Sequence, residues 1–180
     1  MHVQSLTNPQ APAPHLTGDQ PMSALPMPVS EQDERPSEGV RVIASKIGEV
    51  EISDSNILTF PRGVLGFDGR SEYAVLNLPQ PGMERFKLLQ SLDDPQLGFI
   101  VTEAASAADA IDPTDLQDAY KQCDVRPSDA LTLLIVSVRK VESGVELSAN
   151  LRAPIVIDVK RRIGRQHVMS NGRYPIRFTL

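Results

Sequence analysis

The chain has 180 residues, 41% of them hydrophobic, with no tryptophan and a formal charge of −5, which allows one sizeable, mainly aliphatic core plus an appendage. Cys123 is the only cysteine, so an internal disulfide is excluded, and the longest strongly apolar run, Leu131 to Val138, is too short to cross a bilayer as a helix. The charge is unevenly spread: residues 37–138 hold eight more acids than bases, residues 139–180 six more bases than acids, giving an acidic body with a basic C-terminal portion.

Residues 1–37 read as a disordered extension. Seven prolines lie among Gln, Ser, Thr and Ala with no period of 2 or 3.6, so the segment cannot bury enough apolar surface to offset its ordering entropy. It lacks the basic stretch followed by an apolar one that marks a signal peptide. With a lone cysteine favouring a reducing compartment, the expected location is the cytoplasm.

From Val40 the pattern turns β. Val40 to Ala44 and Glu49 to Ile52 are short apolar or alternating runs about Ser45-Lys46-Ile47-Gly48, and read as a hairpin. Ile57 to Phe60 is a third strand, stopped by Pro61-Arg62-Gly63. Glycine then recurs at every third position in Gly63-Val64-Leu65-Gly66-Phe67-Asp68-Gly69. No Gly-Lys-Ser/Thr follows, and the next element, Tyr73 to Leu78, is a strand and not a helix, so this is a tight loop with special backbone angles and not a phosphate cradle.

Phe86 to Leu92 and Leu97 to Thr102 flank Asp93-Asp94-Pro95-Gln96, a β-hairpin with an acidic, proline-stopped tip. No third ligand stands near Asp93 and Asp94 at metal-binding spacing. Ala104 to Ala110 is a loop or a short turn of helix. A helix begins at Asp112-Pro113-Thr114-Asp115, with Asp112 as N-cap, Pro113 at its first position and Asp115 against the dipole. Leu116, Ala119, Tyr120 and Cys123 form its apolar stripe, which makes Cys123 a buried, inert thiol.

Leu131 to Val138 reads as a central strand. Glu142-Ser143-Gly144 turns the chain and Val145 to Ala149 returns. Asn150-Leu151-Arg152-Ala153-Pro154 approaches the next strand with a bend, because Pro154 has no N–H for a ladder and holds Ala153 extended. Ile155, Val156, Ile157 and Val159 are β-branched and belong on a pleated surface covered on both sides. A strand is expected at Gln166 to Met169, then a hairpin turn at Asn171-Gly172 and a last strand through Tyr174 to Phe178. About ten short strands and one helix give a mainly β fold: a small antiparallel β-barrel-like domain over residues 38–180 with one short helix.

The sequence contains no Gly-x-Ser-x-Gly, Cys-x-x-Cys, His-Glu-x-x-His or glycine-rich dinucleotide turn. His2 and His15 lie in the extension, which leaves His167 alone in the folded body, an exposed or hydrogen-bonded side chain more than a catalytic base. No catalytic residue, cofactor or metal is expected, and the chain reads as a binding module.

Four blocks in order carry a family resemblance: Phe60-Pro61-Arg62-Gly63-Val64-Leu65-Gly66-Phe67; Leu89-Gln90-Ser91-Leu92-Asp93-Asp94 with Phe99-Ile100-Val101; Asn150-Leu151-Arg152-Ala153-Pro154-Ile155-Val156-Ile157; and Gln166 with Tyr174-Pro175-Ile176-Arg177. Together they resemble the flagellar assembly factor FliW over roughly residues 40–178. The chain departs from that pattern at Asp158, where asparagine is usual, at Ala104-Ala105, which replaces Asp-Pro, and in its extension. The resemblance implies a protein without catalysis that binds flagellin in the cytoplasm and, once flagellin is exported, binds the translational repressor CsrA, freeing flagellin messenger RNA.

An RNA-binding repressor must be basic, so the acidic body is suited to steer it. Flagellin would offer an amphipathic helix to an apolar groove. The blocks and the acidic body together place partner contacts at Gln90, Ser91, Asp93 and Asp94 on the hairpin and at Asn150 and Arg152 on the bent approach. Neither direct nucleic-acid binding nor a membrane is expected. The alternative is a small β-barrel that binds RNA through Lys160, Arg161, Arg162, Arg165, Arg173 and Arg177.

Overall fold

The computed structural model describes residues 39–107, 110–142 and 144–180. The proline-rich extension therefore lies outside the described residues. Strands β1 (Val40–Ser45) and β2 (Gly48–Ser53) form the expected first hairpin, in register from Val40 opposite Ser53 to Ser45 opposite Gly48. Gly48 leaves the turn at φ +107, a conformation that any Cβ would strain.

Strands β3 (Ile57–Thr59), β4 (Glu72–Asn77), β5 (Phe86–Ser91) and β6 (Gly98–Glu103) follow as an antiparallel meander. Ala104–Ala107 is a 3-10 turn, which decides between the two readings of the alanine-rich segment. Helix α1 (Pro113–Gln122) starts as its sequence dictates, with the Asp112 side chain accepting from Thr114 N at 2.8 Å.

Strand β7 (Ala130–Val141) is longer than expected because it serves three partners, β6 at its middle among them. Its second half pairs with β8 (Gly144–Ala149), and its first half pairs with β9 (Ile155–Asp158). β9 pairs in turn with β10 (Ile163–Gln166), which meets β3 in parallel at Ile163 opposite Thr59. The pairings β3-β4-β5-β6-β7-β9-β10-β3 close a ring of hydrogen bonds, and the sheet is strongly curved. β8 extends this sheet sideways and β11 (Phe178–Thr179) covers part of its edge.

Three expectations near the C-terminus give way. The last strand is confined to Phe178–Thr179 and does not run from Tyr174. The strand before it lies at Ile163–Gln166 and not at Gln166 to Met169, and Asn171-Gly172 joins no hairpin. The backbone of His167 and Met169 instead donates to the carbonyls of Pro154 and Arg152. The Asn171 side chain reaches Asp115 on α1 at 3.1 Å, and its carbonyl accepts from Arg152. These non-local bonds take up the groups a hairpin turn would have used, and the last strand pairs with β8.

Period-two alternation explains the core. Tyr73, Leu89, Val101, Leu133, Ile155 and Ile157 point to the inside of the curved sheet and pack with Phe60 and Val64. Their neighbours point outward and are covered separately: Ala74, Leu76 and Leu88 by the β1–β2 hairpin, Leu134 and Ala149 in a cluster with Ala119 of α1, and Val156 by Cys123 and Val125. β9 is thus buried on both faces, as its β-branched run requires. Val159, just past it, is exposed. No helix among the described residues is long and apolar enough to cross a membrane.

Candidate functional site

The hairpin tip between β5 and β6 is built from within. Gln90 and Ser91 are fully buried. The Gln90 Nε2 donates to the carbonyls of Ser91 and Leu97 at 2.9 Å and lies 3.2 and 3.3 Å from those of Pro95 and Asp94. Its Oε1 accepts from Lys46 N at 3.0 Å, and the Ser91 hydroxyl accepts from Asp94 N. These side chains do for the turn what a backbone ladder does for a strand.

Asp93 and Asp94 project from that frame. Asp93 is exposed, and its Oδ2 accepts from Ser71 N and Glu72 N at 2.7 and 3.0 Å, tying the tip to the start of β4. Asp94 is half-buried. Its Oδ1 accepts from Gln96 N, and its Oδ2 stands 3.9 Å from Arg70 Nη2. Beside the tip lies the glycine loop, where Gly63, Gly66 and Gly69 all have positive φ, as the spacing of the three glycines implies. Gly63 also needs its missing Cβ, which would stand 2.6 Å from the Phe67 carbonyl oxygen.

Asn150 and Arg152 belong to a different neighbourhood. The Asn150 Oδ1 accepts from Ala153 N and shapes the bend, while Arg152 Nη1 donates to the Asn171 carbonyl at 2.7 Å. Next to them Arg173 bridges Asp112 and Asp115, and the Tyr174 hydroxyl donates to Asp115. No hydrogen bond or ion pair among the described residues joins this group to the hairpin tip. The sequence-predicted contacts therefore form two clusters.

Three bases of the C-terminal portion, Lys160, Arg161 and Arg173, are matched by acids of the body. Arg161 pairs with Asp158 at 2.7 Å and with Asp124 at 2.9 Å; Lys160 pairs with Asp129 at 2.9 Å. Arg162 and Arg165 donate to the carbonyls of Asp54 and Cys123. The side chains of Asp129 and Asp158 are only 5% and 6% exposed. Backbone and guanidinium donors of Arg161 hold the Asp158 carboxyl below its ordinary pKa, and the Lys160 ammonium does the same for Asp129. Asp124, Asp129 and Arg161 were missed as a network because charge counting along the chain gives no pairing.

Chemistry-bearing groups are dispersed. Burial pushes the Cys123 thiol pKa up and pulls that of His167 down. Among the described residues no three His, Cys, Asp or Glu side chains stand together as metal ligands.

Comparisons with known proteins agree with this geometry. The family model described as FliW protein matches residues 41–180. A flagellar assembly factor FliW of Syntrophus aciditrophicus is 34% identical over 142 residues, covering 78% of this chain and 87% of that protein. One from Thermotoga petrophila is 32% identical over 141 residues, covering 77% and 92%. A crystal structure of the flagellar assembly factor FliW superimposes with a TM-score of 0.64 at 31% identity, covering 77% of this chain and 96% of the other. With the family pattern spanning all of β2 to β11, this chain belongs to the FliW family of flagellar assembly factors.

Proposed function

We propose that this protein is a non-enzymatic, cytoplasmic partner-switching regulator that binds flagellin and, when flagellin is exported, binds CsrA and relieves its repression of flagellin translation. Membership of the FliW family over residues 41–180 carries the reading. The exposed acidic tip supports it, because a basic RNA-binding partner is attracted by carboxylates that repel RNA phosphates. In this reading Asp93 and Asp94 touch the partner. Gln90 and Ser91, fully buried, act by holding the tip in shape, and Asn150 and Arg152 hold a second contact region beside α1.

Titration calorimetry with purified CsrA and purified flagellin tests this. Each is expected to bind, with prior flagellin lowering the apparent affinity for CsrA. Failure of both to bind overturns the reading. Replacing Asp93 and Asp94 by asparagine keeps the hydrogen-bond acceptors and removes the charges. That variant should bind CsrA more weakly at low salt with an unchanged melting temperature; equal affinity would remove the tip from the contact.

Direct RNA binding through the C-terminal bases is disfavoured. Five of its six proposed residues, Lys160, Arg161, Arg162, Arg165 and Arg173, already donate to carboxylates or carbonyls of the protein. Lys160, Arg161 and Arg173 are matched by carboxylates, and Arg162 and Arg165 are held on protein carbonyls, so the five are not offered as a free row to phosphates. A gel shift with the protein alone is expected to show no salt-sensitive RNA complex.

A further inference from the structure

The glycine loop does more than turn the chain. It holds two large apolar side chains in water: Leu65 is 54% exposed and Phe67 is 41% exposed. Exposure of single apolar residues is ordinary, but these two sit together on a turn that is tied down from several sides. Phe67 N donates to the Val64 carbonyl at 2.8 Å, and Val64 is buried in the main core cluster. Leu65 N donates to the Gln166 Oε1 at 3.0 Å, and the Gln166 Nε2 is itself fixed on the Ala153 carbonyl. Gly66 supplies φ +85 between them, and the Phe67 ring meets Phe99 edge-on at 5.1 Å.

A cleft of about 440 Å³ separates this turn from the hairpin tip. Phe67 and Leu97 supply its apolar walls, and its charged lining residues are Asp68, Asp94 and Arg70. Two carboxylates face one guanidinium there, and Asp93 adds a third carboxylate on the tip itself. Arg70 is turned towards Asp94. The surface therefore sets the exposed apolar Leu65 and Phe67 beside three carboxylates, Asp68, Asp93 and Asp94, and two cations, Arg70 and the exposed Arg62. An occupant that fits it is apolar where it meets Leu65 and Phe67 and cationic around that point.

We infer that the Leu65–Phe67 turn and the Asp93–Gln96 tip form one docking surface, on which Leu65 and Phe67 enter an apolar socket of a basic protein while Asp68, Asp93 and Asp94 meet the cations around that socket. The inference deepens the proposed function and rests on it, with CsrA as the basic protein. The division of labour follows from physical chemistry. Rim carboxylates steer association and respond to salt, whereas desolvated apolar residues near the centre of an interface carry most of the affinity. Because the turn is held by its own backbone bonds, little ordering entropy is lost on docking.

The experiment titrates CsrA against the full chain, wild type and Leu65→Ser, at two salt concentrations, with thermal melting of each. The substitution leaves the Leu65 N–H bond to Gln166 in place. The expected result is a loss of about tenfold or more in affinity for Leu65→Ser, with the melting temperature and the salt slope unchanged. Phe67→Ser should lose affinity too, and Leu65→Met should restore it by giving back apolar surface. Wild-type binding with Leu65→Ser within twofold of it overturns the inference and leaves the proposed function standing. Absence of any wild-type binding to CsrA overturns both. Loss of flagellin affinity in Leu65→Ser with CsrA affinity kept also overturns the inference.

Discussion

Gln90 and Lys46 are 44 residues apart in the chain, yet Gln90 Oε1 accepts a hydrogen bond from Lys46 N at 3.0 Å. One buried amide thereby links the turn of the β1–β2 hairpin to the tip between β5 and β6. Gly98, beside them, has no room for a side chain: a Cβ there would stand 2.9 Å from Leu88 Cδ1 and 3.3 Å from Gln90 Oε1.

Removing that amide should loosen both hairpins. Gln90→Ala takes from Lys46 N and from the Ser91 carbonyl the amide that bonds them, while the Leu97 carbonyl keeps its bond from Ser91 N, at a cost of about 1–3 kcal/mol. Urea unfolding followed by circular dichroism is expected to show a lower midpoint with an unchanged slope. A midpoint equal to wild type would mean that water replaces the side chain at no cost.

Gly164 on β10 lies against the fully buried Phe60 ring, and a Cβ added there would come within 2.7 Å of three ring carbons. Gly164→Ala should therefore destabilise by about 1–3 kcal/mol through overpacking. Combining it with Phe60→Leu should cost less than the sum of the two single changes, because the smaller side chain makes room. Strict additivity in denaturation midpoints would contradict the contact.

Acid should unfold the protein partly through Asp158. Its folded-state pKa is lowered, first by the Arg161 backbone N–H and then by the guanidinium, so its contribution is full above the ordinary aspartate value of about 3.9 and is lost as pH falls through the lower folded value. Asp129 adds to the same acid limb through Lys160. Asp158→Asn keeps a side-chain oxygen for the N–H groups of Lys160 and Arg161 but cannot titrate. Melting temperature measured from pH 2 to pH 7 should fall less steeply for Asp158→Asn than for wild type below about pH 4; parallel curves would rule Asp158 out.

Cys123 is buried against Val125 and Val156, and desolvation raises its pKa. A thiol reagent such as DTNB at pH 8 should label the native protein only at the rate of its opening, and promptly in about 6 M guanidinium, where the thiol is free. Immediate labelling of the native state would place the thiol at the surface.

Local chemistry made much of this protein legible from its residues alone. The turn at Gly48, the glycine loop at 63–69, the acidic tip at Asp93-Asp94 and the Asp112-Pro113 helix start each depend on interactions within a few residues, and the structure has all of them. So did the double burial of Ile155 to Ile157, because β-branched residues in an unbroken run have no polar face to give to water. The order of the FliW blocks along the chain was equally plain.

Only the tertiary structure decided the rest. Nothing local distinguishes Ile163–Gln166 from Gln166 to Met169 as the strand; pairing with β9 and β3 does. Asn171-Gly172 has the composition of a hairpin turn, but Asp115, 56 residues earlier, and Arg152 take up its polar groups. The basic C-terminal portion looked like a free patch until folding set Asp112, Asp115, Asp124 and Asp129 against Arg173, Arg161 and Lys160. Strand choice, ring closure and charge neutralisation all depend on groups far apart in the chain, and a spacing rule that sees only neighbours has no access to them.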